Sequence, residues 1–184
     1  MALIIEDGTG VANADSYLSL EEARIIAANY GILLPVDDVE AQIDLRKGYA
    51  GLNTLEPQLQ GSRANDIQTG AFPRSDVIAN CVELASDYIP SQVKMAQLYQ
   101  ANAYFSGMSV NNIETGENLK SFDVKGVYSE TYQDGGSRRV NGQVQGVFNE
   151  LYPFTVVGYR NSPCGKGSGF GNGLGREEFG VVGI

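Results

Sequence analysis

The sequence predicts a mainly α fold, a small helical bundle with short β-hairpins that ends in an extended Gly-rich C-terminal tail. Three observations carry this expectation. Apolar residues recur at helical spacing behind capping signals near residues 19–31, 37–51 and 90–108, the period drops to two between residues 123 and 132, and nine glycines fall in residues 158–184. A chain of 184 residues has enough apolar side chains to bury a core without disulfides, so the expected division is a helical domain over 1–157 and a glycine-rich segment over 158–184.

The elements follow in order. Residues 2–5, ALII, read as a short strand ended by the EDGTG turn. Ser19 and Glu22 stand in capping-box spacing, Leu20, Ala23, Ala27 and Tyr30 share one helical face, and Gly31 stops that helix. A second helix starts at Asp37 or Asp38, runs through Val39, Ile43 and Arg46 to Ala50, and frays near Gly51. Residues 53–76 read as loop. In SDVIANCVELA the apolar positions fit a hairpin turning at Asn80 or a helix, and the hairpin is the preferred reading.

Pro90 suits the first turn of the clearest helix, because its missing N–H would have had no partner there. Val93, Ala96, Gln97, Leu98, Ala101, Tyr104, Phe105 and Met108 form its wide stripe, a core face or a subunit interface. Further on, Val127, Ser129 and Thr131 alternate with Tyr128, Glu130 and Tyr132 before a turn at Asp134, Gly135 and Gly136, a hairpin signal. QGVFNELYPFTVV reads as a last short helix or turn ended by Pro153. The glycine-rich segment is either a flexible tail or a partner-binding arm that uses Phe170, Leu174, Phe179, Val181 and Val182.

Composition removes several function classes. The chain has no histidine, so Ser/His/Asp and Cys/His nucleophilic sites are absent from it, and no catalytic residue is assigned. The acid pairs Glu21–Glu22 and Asp37–Asp38 fall where first helical turns favour negative charge. Cys81 and Cys164 fit neither a C-x-x-C pair nor a zinc site and read as two unrelated thiols; no metal site is expected. CGKGSG fails the phosphate-loop pattern, with Arg160 where the first glycine belongs and Gly167 in place of Ser or Thr, so no cofactor is expected.

Thirteen basic against 22 acidic residues give a net charge of −9, which disfavours avid duplex binding and suits a surface that DNA slides past. Tyr128 and Tyr132 near Arg138 and Arg139 could stack single-stranded bases, although cross-strand aromatic pairing over a core explains them more simply. With no run of about 18 apolar residues and no basic leader, the expectation is a soluble intracellular product without membrane contact.

Three segments carry a family likeness: Ala12, Ala14, Asp15, Ser16 and Tyr17; Gly61, Arg63, Gln68, Phe72, Pro73 and Arg74; and Ile89 with Pro90 before a long helix. In this order and spacing the chain resembles, over residues 1–155, the head completion proteins of tailed bacteriophages. These are also called adaptors or connectors, in a group often labelled DnaT-like single-stranded DNA-binding. Phe72 stands where that family more often has tryptophan, and the tail lies outside its pattern. The resemblance implies a non-enzymatic virion protein at the head–tail interface, made in the host cytoplasm. It would form a homo-oligomeric ring, twelvefold, beneath the portal protein. That ring would extend the channel for double-stranded DNA, which passes without specific binding, and join the next neck or tail component. The competing function is a single-stranded DNA-binding accessory protein in replication. In either case Phe72, Pro73 and Arg74 read as a structural anchor for the long loop, with the aromatic dropped into a groove between helices and the arginine binding carbonyls or a carboxylate.

Overall fold

Local chemistry starts and stops the first helix. In the computed structural model, which describes residues 2–107, 121–124, 128–131 and 142–165, helix α1 spans Leu20–Tyr30. The Ser19 side chain accepts the Glu22 N–H, and Gly31 takes a left-handed φ of 67° that closes the C-terminus on the Ala27 carbonyl. Helix α2, Asp38–Asn53, is capped by Asp37, whose carboxylate accepts the N–H groups of Val39 and Glu40. Helix α3 is Ser91–Phe105, after Pro90.

Helices α2 and α3 pack closely because α2 offers glycines at the crossing. A Cβ on Gly48 would stand 2.7 Å from the Gln97 carbonyl, so a larger residue would push the helices apart. Leu18, Ala23, Leu45, Leu98 and Ala101 form one apolar cluster where α1, α2 and α3 meet. Gln97, fully buried, ties the N-terminal segment to both helices: its amide donates to Ser16 Oγ and the Leu45 carbonyl, each at 2.9 Å, and accepts the Tyr17 N–H. Helix α4, Gly142–Leu151, lies across α3 and brings Val147 and Leu151 to a second cluster. A 3₁₀ turn at Tyr152–Phe154 and helix α5, Val156–Asn161, follow.

Between α2 and α3 the chain forms little regular structure. Strands β1 (Ser62–Arg63) and β2 (Arg74–Ser75) pair antiparallel, as do β3 (Ile78–Ala79) and β4 (Val82–Glu83). This segment nevertheless supplies Leu59, Ala71, Phe72, Val77 and Ala79 to the second cluster. The expected mainly α bundle with hairpins and a tail is therefore corrected to a small mixed domain. The physical reason is that residues 54–90 are a packed layer rather than a connector, and one side of the core rests on them.

Smaller expectations also change. Residues 2–5 form only an isolated bridge, Ile5 to Ser16. The alternating segment becomes β6 (Tyr128–Thr131), which pairs antiparallel with β5 (Ser121–Val124); the turn expected at Asp134, Gly135 and Gly136 lies outside the described residues, as does Met108. Tyr30, assigned to the inner face of its helix, is 66% exposed, because the chain reverses at Gly31 and Ile32 packs on the core instead. Phe105, assigned to the α3 stripe, is 44% exposed. Cys81 and Cys164, read as separate thiols, are joined in a disulfide.

Candidate nucleic-acid interface

The long loop holds its three named residues inside the protein. Phe72 is buried and meets Phe154 edge to face, with ring centroids 5.8 Å apart. Pro73 is also buried, and the peptide bond before it is cis. Arg74, 5% exposed, donates to the carbonyls of Gln60, Gly61 and Ala71 and to the Glu56 carboxylate. Glu56 also accepts from Nε and Nη2 of Arg63, and that hydrogen-bonded arginine holds its carboxyl below the usual carboxylate range, with Arg74 adding to the effect. These side chains face the core and neighbouring backbone. Phe170, Leu174, Phe179, Val181 and Val182 of the tail lie outside the described residues, as do Tyr132, Arg138 and Arg139.

Most buried polar groups elsewhere are spent on the fold; among the described residues the Tyr49 hydroxyl and Gln42 Oε1 are buried without a hydrogen-bond partner. Glu6 accepts the N–H groups of Gly8, Gly10 and Val11. The rings of Tyr17 and Tyr49 pack at a tilt of 48° with centroids 4.7 Å apart, and burial raises both phenols far above their ordinary range, so they stay neutral. Among the described residues no group of three or more acidic or cysteine side chains is placed to hold a metal ion, and no helix is long and apolar enough to cross a membrane.

The surface offers a different feature. A groove of about 280 Å³ runs between α1 and the start of α3, lined by Glu22, Ile26, Tyr30, Tyr88, Lys94 and Met95, with Ile89 and Ser91 completing it. Tyr30 and Tyr88 are 66% and 50% exposed, which places two aromatic faces at the groove in contact with solvent. Lys94 lies in it with its ammonium 2.8 Å from Glu22. The N-terminus of α3 opens beside it: Pro90 provides no capping side chain, and the first turn carries no acidic residue to occupy its free N–H groups. Apolar walls, two accessible rings and open backbone donors, with the Lys94 charge matched by Glu22, suit a ligand with flat stacking faces better than a small polar metabolite.

The groove was hidden from sequence reasoning because its residues come from 22–30 and 88–95. The visible clue was local: Tyr30 and Tyr88 are aromatic residues at the end of a helix and in the loop before Pro90.

By architecture the chain is a small mixed helical and hairpin domain whose exposed groove has the character of a binding surface. It belongs to the family described as "Putative DnaT-like ssDNA binding protein", whose model matches residues 1–171. No curated protein and no solved structure matches the chain. The family finding corrects the head-completion reading: the match is to a DnaT-like single-stranded DNA-binding description and not to a virion adaptor or connector. The match also reaches beyond residue 155 into the glycine-rich segment.

Proposed function

We propose that this protein binds single-stranded DNA, with the groove between α1 and α3 as the contact surface. The observation that carries the reading is the family match over residues 1–171. The groove supports it independently, since Tyr30 and Tyr88 can stack bases and the open N–H groups at the start of α3 can meet a phosphate, with Lys94 joining them only by exchanging its Glu22 partner. Duplex DNA keeps its bases stacked inside and would gain little from the two rings. The charge of −9 limits the electrostatic contribution, so binding is modest and rests on stacking more than on counterion release.

The test is a fluorescence anisotropy titration with a labelled oligothymidylate and a matched duplex at low and moderate salt. The single strand is bound in preference, and Tyr30→Ala or Tyr88→Ala lowers affinity by about five- to a hundred-fold per lost stack. An oligonucleotide that fails to bind at low salt would refute the reading; binding that survives both substitutions would move the site elsewhere.

A further inference from the structure

We propose that the Cys81–Cys164 disulfide is a redox-operated fastener that docks α5, and with it the start of the glycine-rich segment, onto the β3–β4 hairpin. The two cysteines are 83 residues apart in sequence, and their Cα atoms are 5.4 Å apart. Cys81 occupies the hairpin tip, where Asn80 and Cys81 have φ of 51° and 66°. Both values are those of a tight hairpin turn whose second position favours glycine, so a cysteine there is held against its backbone preference. Cys81 is exposed. The cross-link therefore sits where a soluble thiol can reach it.

The chain entering α5 is held by the Leu59–Thr155 bridge and by Gln60 on the Pro153 and Phe154 carbonyls, but the helix itself has few anchors besides the link. Its one buried residue is Gly158, and Val157 is 59% exposed. Its side-chain hydrogen bonds are local: Thr155 caps Gly158, Asn161 donates to the Tyr152 hydroxyl, and Ser162 donates to the Tyr159 carbonyl. A cleft of about 190 Å³, lined by Ile78, Asn80, Tyr152, Tyr159 and Asn161, separates it from the hairpin. The core cluster ends at Phe154, just before this segment. A six-residue helix with one buried position opens easily once untethered, whereas α2 and α3 keep their own clusters.

The chemistry requires a dithiol reductant. Its first thiolate attacks Cys81 Sγ, forming a mixed disulfide as the Cys164 thiolate leaves and takes up a proton. The second thiol, deprotonated, displaces Cys81, which is protonated in turn. The protein disulfide is reduced to two thiols and the dithiol is oxidised to its own disulfide. Reducing compartments hold such a bond open and oxidising ones close it, so α5 reports the thiol state around it.

The test uses the full chain, oxidised and dithiol-treated, followed by hydrogen exchange read by mass spectrometry. Reduction raises exchange in peptides covering residues 156–165 by tenfold or more, leaves α3 unchanged, and reverses on reoxidation. Cys81→Ser matches the reduced form without any dithiol. Equal exchange in the two states would overturn the fastener, and so would loss of protection throughout α3, which would make the bond a global brace. Finding both thiols alkylatable in the air-oxidised protein would also overturn it. Oligonucleotide affinity is a separate readout, so failure here leaves the DNA-binding reading standing, and the converse holds.

Discussion

The helical pair α2–α3 and the layer formed by residues 54–90 both contribute buried side chains to the core, but different forces hold them. Where α2 crosses α3, close backbone approach at Gly48 and apolar contacts among Leu45, Leu98 and Ala101 do the work, and backbone hydrogen bonds are satisfied within each helix. The intervening layer has few such ladders. Its carbonyls are satisfied by side chains instead: Arg74 takes those of Gln60, Gly61 and Ala71, and Gln68 takes those of Gly70 and Pro73. A buried irregular segment survives only when its polar backbone is paired in this way. The helical pair should therefore fail through cavities and the layer through lost polar partners.

Substitutions can break or sharpen that contrast. The largest effects are expected from cavities. Leu98→Ala and Phe72→Ala should each cost about 3–5 kcal/mol in urea unfolding, the second through loss of the Phe154 contact. An unchanged midpoint for Phe72→Ala would show that the loop is not anchored by its aromatic ring. Next comes Arg74→Met, which keeps bulk but leaves three carbonyls without their donor; a loss of about 2–3 kcal/mol is expected. If Arg74→Met proved neutral, the contrast between the two regions would collapse.

Glu56→Gln should be milder, about 1 kcal/mol near neutral pH, because Arg74 keeps its carbonyl acceptors. Its signature is the pH dependence. The Glu56 pKa is depressed in the folded state, chiefly by Arg63, so its contribution is present above the unfolded carboxylate value of about 4.3 and disappears as pH falls through the lower folded value. Thermal melts of wild type and Glu56→Gln should therefore converge as pH drops below about 4. Ser19→Ala at the α1 cap is of the same size, about 1 kcal/mol, read as a small shift in melting temperature without that pH dependence.

The same contrast explains what could be read from the sequence. Ser19, Gly31, Asp37 and Pro90 mark helix ends by local chemistry, and the helices begin and end at or beside them. The hairpin at Asn80 also follows from its neighbours. Within the 54–90 layer only Phe72, Pro73 and Arg74 were readable as an anchor; that the whole segment packs as a layer was not, because Gln60 and Gln68 act through partners that only the folded chain brings near. Tyr30 misled for a related reason: helical spacing placed it inward, but it is the last residue before a chain reversal. The groove of Tyr30, Tyr88 and Lys94 and the pairing of Cys81 with Cys164 join distant parts of the chain, and periodicity contains no information about such pairs.

The meeting of Phe72 with Phe154 also has a temporal side. Synthesis at about 5–20 residues per second delivers the second ring several seconds after the first has left the ribosome. Gln60, which binds the carbonyl of Pro153 and whose own N–H reaches that of Phe154, waits equally long. Throughout that interval the nascent chain carries an unfinished apolar surface, which closes only after the segment carrying Pro153 and Phe154 has emerged.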